Sequence, residues 1–142
     1  MSANFKQLTE FTKNIEKLND QQKEEFLESC CKELAARLLA KVIKRTPSDS
    51  GTLRRGWTGG KSQNATAYAN SIGITHIGNK YKIDITNPVE YASYIEYGHR
   101  TRDHKGWVNG HFMLTISEQE LNSMSDAILQ KKLNKFMKDV FE

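Results

Sequence analysis

Cysteine and proline are scarce in this chain, with two of each in 142 residues. The cysteines, Cys30 and Cys31, are adjacent. Neighbouring positions on a helix point in different directions, so this pair makes no disulfide framework and fits a reducing compartment. No further ligands stand near them in sequence, so both read as small helix residues, with Cys30 expected to be buried. No run of about 18 apolar residues occurs, so no membrane-crossing helix is expected. The start, MSANFKQLTEFTKN, lacks the apolar centre of a signal peptide, and the protein is expected to stay in the compartment of its synthesis. Apolar residues are only 37% of the chain and aromatics 9%. That points to a thin core, or to apolar surface that a partner completes.

What is present suits a single domain over 1–142. A chain of this length buries roughly two-thirds of its unfolded surface and needs no staple, while a second full core would be hard to fit. Lys and Arg number 21 against 17 Asp and Glu, a net charge of +4.

Hydrophobic spacing sets out the elements. Phe5, Leu8, Phe11 and Ile15 predict a short amphipathic helix over 4–14. A longer helix follows to position 45, N-capped by Asp20. Its apolar stripe is Phe26, Leu27, Cys30, Leu34, Leu38 and Val42, and Lys41, Lys44 and Arg45 lie near its C-terminus, where the dipole favours cations. Thr46-Pro47 stops it. Between 52 and 87 the grammar changes. Leu53, Arg55 and Trp57 alternate as in a short strand, Gly59–Asn64 reads as a flexible exposed tip, and Tyr68, Asn70, Ile72, Ile74 and His76 alternate again. Gly78-Asn79 marks a hairpin turn, and Tyr81, Ile83 and Ile85 alternate with Lys82, Asp84 and Thr86. A short helix is expected near Tyr91–Gly98, then a loop over His99–Asn109. A last helix is expected over 111–141, with Ser117 and Glu120 offering a capping box and a stripe of Leu114, Leu121, Met124, Ile128, Leu133, Phe136 and Val140. Strands do not alternate with helices, which disfavours a parallel nucleotide-binding sheet. The expected fold class is α+β: a small antiparallel sheet packed against two long helices, N-terminal and C-terminal, plus a short helix.

Chemistry-bearing patterns are few. Three of the four histidines, His99, His104 and His111, share one stretch with Asp103, but their spacing matches no usual set of metal ligands and the stretch reads as a loop. No serine sits in a Gly-x-Ser-x-Gly turn. Gly59-Gly60-Lys61-Ser62 lacks the first glycine of a phosphate loop, because position 55 is Arg. No cofactor and no catalytic group are expected.

Two surface signals remain. From Arg37 to Lys61 there are seven cations and one acid. This patch fits three readings: phosphate contact, a solvated helix end with a charge-protected edge, or an interface pairing with a neighbour's carboxylates. The second signal is Tyr91, Tyr94, Tyr97 and Trp107, four amphipathic aromatics within 17 positions, a composition typical of protein interfaces.

The run Thr46-Pro47-Ser48-Asp49-Ser50-Gly51-Thr52-Leu53-Arg54-Arg55-Gly56-Trp57 resembles the Thr-Pro-x-Asp-Thr-Gly-x-Leu-Arg-x-Ser pattern of a family of small neck or tail-completion proteins of tailed bacteriophages and prophages. Asn87–His99 is similar to that family's Tyr-Ala-x-Tyr-Val-Glu-Phe-Gly-Thr block, and Gly106–Leu114 to its aromatic-Gly-x-Phe-Met approach to a last helix. Ser50 and His99 stand where the pattern has Thr. The resemblance implies a virion structural protein without enzymatic activity. It would assemble in the bacterial cytoplasm as a ring of its own copies, six by expectation, at the head–tail junction or the upper end of the tail tube. The implied partners are the tail tube or sheath, head-connector proteins, and DNA that passes through without sequence-specific binding. No membrane is implied. Such a ring needs two different patches that meet between neighbours. The residues expected to supply them are Arg45, Arg54, Arg55 and Trp57 on one side and Tyr94, Glu96, Tyr97, His99 and Trp107 on the other. The alternative is a small basic nucleic-acid-binding protein using the Arg37–Lys61 patch.

Overall fold

The computed structural model describes residues 18–47, 51–61, 63–77 and 80–141. The helix expected over 4–14 and the Gly78-Asn79 turn lie outside the described residues.

Helix α1 spans Asp20–Arg45. Its N-cap is Asn19 and not Asp20. Asn19 Oδ1 accepts from the Gln22 amide at 2.8 Å, and the Asn19 amide donates to Gln22 Oε1 at 3.0 Å. Two otherwise orphaned N–H groups are satisfied reciprocally, and Asp20 falls in the first turn, where the dipole still favours it. Lys44 and Arg45 occupy the last turn, and extended Thr46 ends the helix before Pro47.

Phe26 meets Phe136 with ring centroids 5.2 Å apart. Glu33 meets Lys132 at 3.3 Å, and Lys41 and Arg45 meet Glu120. The long C-terminal helix therefore runs antiparallel to α1. Its buried face is Met113, Ser117, Leu121, Ser125, Leu129 and Leu133, a spacing of four rotated from the expected stripe, so that Met124 is exposed. The two serines are buried because their hydroxyls bond their own helix backbone: Ser117 to the Met113 carbonyl at 2.6 Å and Ser125 to the Asn122 carbonyl at 3.0 Å. Ser117 is thus no N-cap, and Glu120 is turned to Arg45.

Two stretches expected as strands are helices. Thr52–Gly56 forms α2, entered through Gly51 at φ 74°, where a side chain would be strained. Leu53 and Trp57, four apart, face the core together while Arg55 is exposed, so the spacing of four prevails over the alternation. Ala65–Ser71 forms α3, capped by the Asn64 side chain, which accepts from the Thr66 and Ala67 amides at 2.9 and 3.3 Å. Ala65, Tyr68, Ala69 and Ile72 all face the core, a helical spacing that the period-two reading overlooked. Of the tip between these helices, Gly59, Gly60, Lys61, Gln63 and Asn64 are exposed, and two hydrogen bonds tie Lys61 and Gln63 back to Thr58. Thr58 Oγ1 donates to the Lys61 carbonyl at 2.6 Å, and Gln63 Nε2 to the Thr58 carbonyl at 3.1 Å.

The sheet is smaller than expected and divided. β1 (Thr75–Ile77) pairs antiparallel with β2 (Lys80–Lys82), in register Ile77 to Lys80. Short helix α4 spans Ala92–Tyr97. The stretch after it, expected as a loop, carries a second ribbon: β3 (Gly98–Arg100) pairs antiparallel with β4 (Trp107–Asn109). The C-terminal helix, α5, spans Met113–Phe141. The fold class is α+β, with two small antiparallel ribbons set against the helices.

Two apolar clusters hold these elements. One joins α1 to the far half of α5 through Phe26, Cys30, Leu129 and Leu133. The other gathers Leu39, Val42, Leu53, Trp57, Ala69 and Met113, with Ile83, Ile85, Val89 and Ile95 against it.

Burial pushes the Glu33 carboxyl up, but the charges of Lys132 and Arg37 outweigh it and hold the group below its ordinary value. The bridge thus adds stability above the unfolded carboxyl's value of about 4.3 and loses it as pH falls through the lower folded value. Glu33→Gln should lower unfolding free energy by about 0.5 kcal/mol at neutral pH, because the pair is partly solvent-screened. Urea titrations should show the difference between the two proteins closing in acid.

Candidate assembly interface

The first expected patch is turned inward around Thr46. The Thr46 hydroxyl donates to the Val42 carbonyl at 2.6 Å and accepts from Trp57 Nε1 at 2.9 Å. The Thr46 carbonyl accepts from Arg54 Nε at 2.7 Å. Trp57 is only 4% exposed and belongs to the core. Arg45 pairs with Glu120 of α5, with Lys41 Nζ 3.9 Å from the same oxygen. Arg55 is exposed, with its guanidinium over Gly51. Three of the four residues expected on this side, Arg45, Arg54 and Trp57, therefore tie the end of α1 to α2 and α5. Asn87 completes the junction: its Nδ2 donates to the Leu53 carbonyl at 2.7 Å and its Oδ1 accepts from the Val89 amide at 3.0 Å.

On the other side, Glu96 is 7% exposed and lies beneath the surface. Its carboxylate accepts from the Leu114 amide at 2.9 Å, the Thr115 amide at 3.0 Å and the Thr115 hydroxyl at 2.7 Å. The first turn of α5 has amides without intrahelical partners, and a carboxylate there is favoured by the helix dipole. Glu96 is thus the N-terminal cap of α5, supplied from α4. Main-chain bonds reinforce it, from the His111 amide to the Ile95 carbonyl at 2.7 Å and from the Phe112 amide to the Glu96 carbonyl at 3.0 Å.

Above this cap lies an exposed aromatic surface. Tyr97 is 63% exposed, and Tyr94 and Trp107 are 59% exposed. Tyr97 stands edge-on to Phe112 with centroids 6.4 Å apart, and Tyr94 tilts against His99 at 5.9 Å. His99 Nδ1 lies 2.7 Å from the Arg100 carbonyl, and Val108 across the ribbon is also exposed. Gly98 joins α4 to β3 at φ 91°, and a Cβ there would come within 2.5 Å of the Val108 carbonyl and 2.9 Å of Trp107 Nε1. The indole therefore crosses this glycine. The turn between β3 and β4 is ordered by Asp103, which accepts from the Thr101 hydroxyl at 2.6 Å and the Lys105 amide at 3.0 Å. These bonds, that of Thr101 first, hold its carboxyl below the usual range.

The structure thus brings Tyr94, Tyr97, His99 and Trp107 together on one surface and places Glu96 under it. Among the described residues no three of His, Cys, Asp and Glu gather as metal ligands. A groove of about 730 Å³ between α1 and α3 is lined by carboxylates and cations alike, including Glu25, Glu28, Lys32, Arg37 and Lys132. Burial pushes the Cys30 thiol up to about 12, far from a reactive thiolate. Thr46 and Asn87 are the residues whose positions sequence reasoning missed. Thr46 was read only as a helix stop, and a lone threonine or asparagine gives no periodic signal.

Residues 9–98 match a family model described as "HK97-gp10_like: Bacteriophage HK97-gp10, putative tail-component". Comparison with curated proteins and with solved structures gives no match.

Glu96→Ala leaves amides of the first turn of α5 without a partner and should cost about 2 kcal/mol of stability. Amide exchange at Leu114 and Thr115 should speed up ahead of the rest of α5. A surface contact residue would change neither quantity in the isolated chain.

Proposed function

The chain belongs to the HK97-gp10-like family of bacteriophage tail components, and on that premise we propose that it is a structural subunit whose copies close into a ring at the upper end of the tail tube or at the head–tail junction. It performs no catalysis. The tube or sheath and the head connector are its neighbours, and DNA passes through the opening without base-specific contacts. The observation that carries this reading is the aromatic surface of Tyr94, Tyr97 and Trp107, exposed on elements fixed from below by Glu96. Clustered exposed aromatics are the usual anchors of protein interfaces. A ring also needs a complementary patch elsewhere on the subunit. Of the residues expected there, Arg55 is the one turned outward.

The phosphate-binding reading draws less support. Arg37 is paired with Glu33, Lys41 and Arg45 with Glu120, and Arg54 with the Thr46 carbonyl. These cations are engaged within the subunit, whereas a phosphate patch needs them free to release counterions. No helix among the described residues is long and apolar enough to cross a membrane.

The combined change Tyr97→Ser and Trp107→Ser should leave the isolated chain within about 0.5 kcal/mol of its original stability. It should reduce incorporation into tails by about tenfold or more, since each buried aromatic anchor is worth on the order of 1.4 kcal/mol or more. Quantitative blotting of purified particles checks this. Normal incorporation of the double variant would remove the aromatic surface from the interface.

A further inference from the structure

From Tyr81 to Val89 the chain alternates strictly. Tyr81, Ile83, Ile85, Asn87 and Val89 are half-buried, and Lys82, Asp84, Thr86 and Pro88 are exposed. Ile83, Ile85 and Val89 pack against the core. This is the burial signature of a strand, yet the ladder stops at Lys82, opposite Thr75. Beyond it, the Ile83 backbone bonds the Cys31 thiol, and Asn87 is tied to Leu53 and Val89. Between these anchors the main chains of Asp84, Ile85 and Thr86 make no hydrogen bond to any described residue. Anchored at both ends and unpaired in the middle, with side chains alternating between core and solvent, the segment is a template for another strand.

The molecule carries a second open edge elsewhere. The β3–β4 ribbon is only two strands wide, and all three residues of β4 are exposed. The two edges lie on different parts of the subunit: the extended segment runs beside α1, near Cys31, and the ribbon stands by the first turn of α5. Charges of opposite sign stand near the two edges. The ribbon's turn presents Arg100, Arg102 and Lys105, with Asp103 bonded to Thr101 and the Lys105 amide. Within the run Lys82 is paired with Asp84 at 3.4 Å, and at its start the carboxylates of Glu24 and Glu28 on α1 stand near Tyr81, adding to partial desolvation in holding its phenol above the ordinary value.

We propose that the Asp84–Thr86 segment receives β4 of a second copy of this chain as an added strand. Joining one edge of a subunit to the other edge of its neighbour leaves one edge of each kind free at the ends. Such a contact is heterologous and propagates until the rotation closes. It continues the aromatic surface described above, because Trp107 opens β4. The inference rests on the ring reading and specifies its contact.

Hydrogen exchange of the unaltered protein is the first test. Amides within Asp84–Thr86 and in β4 should exchange at least tenfold more slowly in purified particles than in the isolated chain. Cross-linking identifies the occupant. In a chain carrying Cys30→Ala and Cys31→Ser, Asp84→Cys is combined with Val108→Cys or with Asn109→Cys, so that both faces of β4 are sampled. Oxidised particles of at least one combination should give a ladder of linked copies. Each single-cysteine chain should give none, since position 84 does not meet itself. If the chain is present in particles but exchange at Asp84–Thr86 is unchanged, strand addition is overturned and the ring reading stands. Protection of these amides with a cross-link to a different protein overturns the second copy as occupant. Absence of the unaltered chain from particles overturns the ring reading and this contact with it.

Discussion

The fold turns on one buried carboxylate. Glu96 leaves water to sit against the start of α5, where the unpaired amides of Leu114 and Thr115 and the Thr115 hydroxyl receive it. A buried charge without such partners would be strongly unfavourable. Here the helix end supplies both the donors and the favourable dipole. The same contact decides where α4 lies, and α4 leads directly through Gly98 into the β3–β4 ribbon. The position of the exposed aromatics thus follows from how a helix satisfies its first turn.

At the end of α1, Thr46 does comparable work with an uncharged hydroxyl and carbonyl. It terminates α1 and collects the Trp57 indole and the Arg54 guanidinium, while Asn87 locks the returning chain to Leu53. The family match covers this junction and ends at Gly98. The Thr46–Asn87 junction falls within the matched region, whereas β4 with its exposed Trp107 and the whole of α5 lie beyond it.

Much of this was legible in the sequence, and the failures have physical causes. Long helices with a cap, a cationic end and a Thr-Pro stop announce themselves, because periodicity accumulates over many residues. Short elements do not. Leu53, Arg55 and Trp57 alternate, but Leu53 and Trp57 are also one helical turn apart, and Gly51 settles the choice through backbone geometry invisible to a hydrophobicity pattern. On α5 the expected stripe favoured large apolar residues, whereas Ser117 and Ser125 take buried positions by bonding their own backbone. Tyr94, Tyr97 and Trp107 are exposed, whereas Glu96 and Trp57, grouped with them in the expected patches, are buried, because burial depends on contacts far along the chain. The Tyr81–Thr86 alternation was read as a paired strand. Its burial follows that pattern and its hydrogen bonding does not, a distinction that only the fold reveals.

The two tryptophans stand in opposite surroundings. Trp57 is enclosed in the core with its indole N–H bonded, and Trp107 lies open to solvent across Gly98. Intrinsic emission from this protein therefore has a blue component fixed by the interior and a red, quencher-accessible component at the rim. Unfolding shifts the first, and anything that settles on the ribbon dims or shifts the second, so one spectrum distinguishes a subunit that has come apart from one that has found its neighbour.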